Sequence, residues 1–166
     1  LNGLSLANIG RDEEAINCLD KALELNPNFI NALLVKGEIL LNRSHYEEAL
    51  NCCDKVLEKE KANIDALGLK AIVLSKFNRY EDAIKCCDKI LEIDGNNAEA
   101  WYNKGCFKAR LGDSDAALKC LEKAVEIDER YVEIANNEEE FSNLKNNKKF
   151  LYIIKEDCSK GGKNEC

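Results

Sequence analysis

NCCDKVLEKE runs from Asn51 to Glu60, and KCCDKILEID from Lys85 to Asp94, 34 residues further on. Two adjacent-cysteine pairs at a fixed distance invite three readings: a metal site, a redox device, or packing. The surrounding sequence decides among them. Ala15, Ala49, Ala83 and Ala117 share the 34-residue spacing, as do Gly3, Gly37, Ala71 and Gly105. So do Cys18, Cys52, Cys86 and Cys120, and Leu23, Leu57, Leu91 and Val125. No gap breaks the register from Gly3 to Asp128. A strict period with small residues at two fixed points means one supersecondary element stacked on itself.

Each period reads as two helices. In Ala98–Tyr131, AEAWYNKGCFKARLG places Trp101, Gly105 and Lys108 on one helical stripe, and Gly112-Asp113 breaks it. SDAALKCLEKAVEID then sets Ala117, Leu121, Ala124 and Val125 at the spacing of one apolar helical face. Ser114 is the expected N-cap of that second helix. Gly105 and Ala117 leave room for the paired helices to approach closely.

Bulk properties narrow the function classes. The chain has 166 residues, 33% of them charged, with one proline, Pro27. That composition favours helices over a turn-rich sheet protein. A net charge of -7 argues against binding nucleic acid through its phosphates. No apolar run is long enough to span a membrane. The chain opens at Leu1 and contains no methionine, which reads as a fragment or a trimmed product. Nine cysteines, an odd number, in a chain without the look of a disulfide scaffold point to a reducing compartment, the cytoplasm.

The repeat resembles the tetratricopeptide family, whose pattern is W-x2-L-G-x2-Y, then A-x3-F, then P. Trp101, Gly105, Ala117, Leu121 and Ala124 match it best. Leu33, Gly37, Leu40, Ala49, Cys53 and Val56 carry it in residues 30–63. Leu67, Ala71, Leu74, Ala83, Cys87 and Ile90 carry it in residues 64–97. Gly3, Leu6, Ala15, Leu19, Ala22 and Pro27 remain of an opening repeat. Lys36, Lys70 and Lys104 depart from the pattern by replacing the leucine before the small residue. The resemblance implies an all-α protein: an α-solenoid of 34-residue helix-turn-helix repeats, a right-handed superhelix with a C-terminal helical cap. The expected organisation is a repeat array over 1–131 (a truncated repeat 1–29, then 30–63, 64–97 and 98–131). A capping segment over 132–157 and a flexible tail over 158–166 follow it. The appearance of the repeats is similar to that of methanogenic archaeal and other prokaryotic repeat proteins.

The cysteines fit this frame as packing. Cys53 and Cys87 occupy the place where the family has a large apolar residue, and a thiol is a small buried hydrophobe. Cys18, Cys52, Cys86 and Cys120 form a ladder whose rungs stand a helix-packing distance apart, about 8–10 Å. That is too wide for a disulfide or for a shared zinc ion. Cys158 and Cys166, in the tail, are freer to react. After Tyr131 the register dissolves, and Phe150, Leu151, Ile153 and Ile154 form an apolar patch. It is read as cap material, with self-association through this C-terminal segment as the sharper alternative.

By family likeness, partners are peptides or helices held in a concave groove lined by the first helix of each repeat. On this register the groove-lining residues are Leu34, Glu38, Leu69, Ile72, Lys76, Tyr102, Asn103 and Arg110. Tyr102 and Arg110 head the list, because aromatic and arginine side chains anchor most interfaces. The chaperone-tail clamp of one family branch is absent: Leu34, Glu38, Leu69, Glu99 and Asn103 stand where it needs Lys, Asn and Arg. No catalytic motif occurs, and the single histidine, His45, falls at an interhelical turn. The expected function is a non-enzymatic protein–protein interaction scaffold without cofactor or metal, its protein or peptide ligand unidentified. The alternative is a recruitment or regulatory array of a larger enzyme.

Overall fold

The computed structural model describes residues 3–137 and 139–155. Among them every regular element is helical. They gather into two compact units divided at Phe77/Asn78, inside the third repeat. The first unit holds α1 (Gly3–Leu25), α2 (Ile30–Asn42), α3 (Tyr46–Lys59) and α4 (Ile64–Lys76). The second holds α5 (Tyr80–Ile93), α6 (Ala98–Arg110), α7 (Ser114–Ile127), α8 (Arg130–Asn137), a 3₁₀ turn (Ser142–Leu144) and α9 (Lys148–Lys155). Cys158, Cys166 and the expected tail lie outside the described residues.

The 34-residue register is written into the backbone. Within each repeat three residues separate the end of the leading helix (α2, α4, α6) from the start of the trailing one (α3, α5, α7). The middle residue of that turn is left-handed each time: Ser44 at φ 63°, Asn78 at 57° and Gly112 at 79°. Between repeats, a side-chain oxygen closes the turn. Asn26, Asp94 and Asp128 accept from the backbone N–H two residues on, at 3.2, 3.1 and 3.0 Å. Asn63 and Asn97 then cap α4 and α6, each accepting at 2.9 Å from the backbone N–H three residues on. For α7 the cap is Asp113, which accepts from Ala116 N–H at 3.2 Å, one residue before the expected Ser114.

Glycine sets how closely the hairpins pack. A Cβ on Gly105 would stand 3.2 Å from the Ala117 carbonyl oxygen and 3.3 Å from Cys120 Cβ. One on Gly37 would stand 2.8 Å from Leu69 Cδ2 and 3.4 Å from Cys52 Cβ. Around Gly37 the first unit's core gathers Leu33, Leu40, Ala49, Cys53, Val56, Ala66 and Val73. The second unit buries Ala83, Ile90, Phe107, Ala117, Leu118, Leu121 and Ala124. Cys53 and Cys87 are 1% and 0% exposed, in the apolar interior.

The lysines that break the family pattern have a structural reason. Lys36 pairs with Asp20, Lys70 with Asp54 at 2.5 Å, and Lys104 with Asp88 at 2.6 Å. Each pair ties a leading helix to the trailing helix of the repeat before it. Asp54 and Asp88 are the Asp of the Cys-Cys-Asp-Lys motif, and Asp20 holds the same place in Cys18-Leu19-Asp20-Lys21, so that motif serves packing with its cysteines and repeat-to-repeat pairing with its acid. The ion pairs are half-exposed, so each contributes modestly. Asp54→Ala is expected to lower stability by about 0.2–1 kcal/mol in low salt and by less in 1 M salt. Urea titration at the two ionic strengths checks this.

Two departures from the expected organisation stand out. At the start, α1 runs unbroken through Ile9–Arg11, where the register puts a turn. At the end, α9 begins 34 residues after α7, so the period outlasts the point where the sequence pattern fades. The buried residues of α9 are Phe150 and Ile153, one position before the register equivalents Leu151 and Ile154. The face has rotated, which is why the register looked lost. The same burial takes up Phe150 and Ile153 of the apolar patch read as cap material, with Leu151 and Ile154 half-buried: Phe150 stacks on Phe141 with ring centroids 6.0 Å apart. Tyr152 is the large side chain that remains exposed there.

Candidate peptide-binding surface

The eight residues expected to line a groove all lie on leading helices, and each unit holds its own share. In the first unit, Glu38 and Lys76 are exposed, and Leu34 and Ile72 are half-buried. Leu34 packs against the core, and Leu69 is buried over Gly37. In the second unit, Arg110 is exposed and Asn103 half-buried. Tyr102, ranked first as an anchor, is 7% exposed. Its ring stacks on Tyr131 at 4.7 Å and leans on Phe141 at 6.0 Å. Its position is internal because the segment after the last clear repeat folds back over α6.

A pattern emerges along each leading helix. One end carries an exposed Asn31, Asp65 or Glu99, and the other an exposed Asn42, Lys76 or Arg110. On α4 and α6 the positions between are used for packing helix against helix, while α2 leaves Val35 and Glu38 exposed. Val35, exposed beside Leu34 on α2, is the apolar exception. Arg110 is held in place: its Nε donates to the Tyr80 hydroxyl at 3.2 Å, and its guanidinium lies 5.9 Å from that ring's centre. Tyr80 was not among the expected site residues, because its neighbour in space is 30 positions away.

His45, exposed, meets Glu48 at 2.9 Å in an ordinary turn contact. Among the described residues no three histidine, cysteine or acidic side chains come together as a metal site. No helix among them is long and apolar enough to cross a membrane. Burial raises the thiol pKa of Cys53 and Cys87 to about 12, which keeps these sulfurs protonated and inert at neutral pH.

Helical hairpins at a fixed 34-residue period, with a left-handed turn residue at one position and small residues at the crossing, define a helical repeat protein. A family model for the tetratricopeptide repeat matches residues 98–131. One described as anaphase-promoting complex, cyclosome, subunit 3 matches residues 8–90, half of the chain. The chain belongs to the tetratricopeptide repeat family, and it is a protein-interaction repeat scaffold. Among solved structures, it resembles YrrB, described as a TPR protein with an unusual peptide-binding site. The two are 26% identical over 89% of this chain and 77% of that one, with a TM-score of 0.67. MamA residues 41 to the end, from Desulfovibrio magneticus RS-1, is also 26% identical, over 77% and 72% of the two chains, with a TM-score of 0.67. A tetratricopeptide repeat protein from Parabacteroides merdae ATCC 43184 shares the fold, at 18% identity and a TM-score of 0.76 over 92% of this chain and 60% of that one. No curated protein sequence matches.

Proposed function

We propose that the chain is a non-enzymatic scaffold that holds an extended peptide or a partner helix on the exposed residues of the leading helices, α2 and α4 in the first unit and α6 in the second. The observation that carries this reading is the repeated arrangement of that stripe. Polar or acidic residues mark one end of each leading helix, and Asn42, Lys76 or Arg110 marks the other. Between them most side chains are held by packing, with Glu38 exposed on α2, so a ligand would meet a firm floor with charged groups along it. Lys76, Arg110 and Glu38 are the expected ligand contacts. Tyr102 and Leu69 support the floor from within. YrrB, 26% identical, is described as having a peptide-binding site, which supports the class of ligand. A reducing cytoplasmic setting suits the thiols of Cys18, Cys52, Cys53, Cys87 and Cys120, none of them in a disulfide.

The test is a displayed-peptide selection against the protein, followed by affinity measurement on the enriched sequences. Lys76→Glu and Arg110→Glu are each expected to weaken the selected peptides about tenfold, the effect of losing one good contact. Glu38→Lys should shift preference toward acidic peptides. Affinities untouched by all three changes would remove the leading-helix stripe as the binding surface. Substitution of Leu69 or Tyr102 would confuse binding with folding, since both are buried.

A further inference from the structure

The open part of α4 is one narrow stripe. Asp65 and Lys76 are the exposed residues of this helix, with Gly68, Ile72 and Ser75 half-buried between them. At 100° per residue these five positions fall within an arc of about 100°. Lys70, also half-buried, is turned to Asp54 of α3 at 2.5 Å.

Three features of the stripe bear on what it can hold. Its ends carry opposite charges, and neither Asp65 nor Lys76 joins an ion pair among the described residues. Eleven residues separate them, about 16 Å at 1.5 Å per residue. Next, Gly68 stands where α2 has Leu34 and α6 has Tyr102, so the stripe has a notch in its floor beside Ile72. Last, the middle offers nothing to a ligand's backbone. The Ser75 hydroxyl donates to the Ile72 carbonyl of its own helix at 2.7 Å, and Gly68 and Ile72 bring no polar side chain. An extended peptide pressed there would leave backbone groups facing apolar surface without partners. A helix arrives with its backbone already paired, and a glycine in the floor permits the close crossing of helix on helix.

We propose that α4 docks an amphipathic partner helix of about three turns or more, with an acidic and a basic residue eleven positions apart and an apolar side chain between them. The acid meets Lys76, the base meets Asp65, and the apolar side chain fills the notch at Gly68. With its acid in the first turn and its base in the last, as helix ends favour, the partner runs antiparallel to α4. This names the ligand of the leading-helix surface and rests on that reading.

Fluorescence anisotropy on the full chain tests it. The probe is a stapled, alanine-rich helix of about 16 residues carrying Glu, Leu and Lys at those places. Its control is the same sequence unstapled, with a central proline. The stapled probe is expected to bind at least about tenfold more tightly than the control. Asp65→Lys and Lys76→Glu, both at exposed positions, should each weaken it about tenfold. The two changes together should restore it, because the probe can turn end for end. Gly68→Leu places a good helix former in the notch and should weaken binding about tenfold with helicity retained by circular dichroism.

Equal binding of probe and control would make the ligand extended. A stapled probe that fails to bind, beside selected peptides that do, would say the same. Both results overturn the partner helix and leave the leading-helix surface standing. Probe binding untouched by every α4 change would overturn it by removing α4 as the dock, and selected peptides equally untouched would remove the surface with it. A chain that dimerises in light scattering, and loses the dimer in Lys76→Glu, would give the stripe to a second copy and overturn the proposal too.

Discussion

Raising the pH from 9 to 11 is expected to destabilise each unit by about 1.4 kcal/mol per pH unit through one buried thiol. The thiols are Cys53 in the first unit and Cys87 in the second. Burial is the leading cause of their raised pKa; the adjacent cysteine and the following aspartate add to it, and Lys70 or Lys104 opposes it. Each pKa rises from 9.0 to about 12. An unfolded chain releases these protons near pH 9, while the folded chain keeps them to about 12. In that window the unfolded state binds fewer protons, so stability falls as pH rises. Below pH 9 the contribution is fully present. Two pH units remove about 2 kcal/mol from each unit, a large share of a typical 5–15 kcal/mol domain stability. Urea titrations under reducing conditions from pH 7 to 11 measure the slope. Cys53→Ala and Cys87→Ala each introduce a small cavity that costs about 1 kcal/mol at pH 7. Each should flatten its share of the alkaline loss. Equal slopes in wild type and the double variant would show that the two sulfurs reach water while the protein is folded.

That these cysteines are core residues was legible from their place in the period, as were the hairpins, the turn positions and the glycine crossing. Periodicity says which residues are equivalent, and equivalence carries burial with it wherever a repeat has neighbours of the usual kind. Three things escaped it, for one reason. Lys36, Lys70 and Lys104 read as departures from a leucine, because their aspartates lie 16 positions earlier and become neighbours only once helices are set side by side. Cys18 read as one rung of an even ladder, though it is exposed. Tyr102 read as a ligand anchor, though Tyr131 and Phe141 lie against it. In each case the environment is set by a neighbour that the period does not specify: a partner across helices, a straightened N-terminal helix, a rotated C-terminal one. The exposed ends of the leading helices were the legible part of the candidate surface, because charge at those positions needs no neighbour to keep it in water.

The C-terminal segment gives the second large effect. Phe141→Ala is expected to cost about 3–5 kcal/mol, the range for emptying a buried phenylalanine site. The ring is fully buried, with centroids 6.0 Å from both Tyr102 and Phe150. It joins α6 to α9, so its loss removes apolar burial and also uncovers two neighbouring rings. Tyr152→Ala, on the same segment but 57% exposed, should stay within about 0.5 kcal/mol of wild type. Urea unfolding followed by the fluorescence of Trp101, the single tryptophan, reports on this unit directly. The comparison bears on function as well as on folding. A cost of several kcal/mol means that the segment is part of the fold, that Tyr102 is permanently internal, and that a ligand meets only the rim of α6. A cost below about 1 kcal/mol would mean that Phe141 rests loosely on α6. Its departure would then expose Tyr102, and the closing segment would compete with any peptide for that aromatic surface.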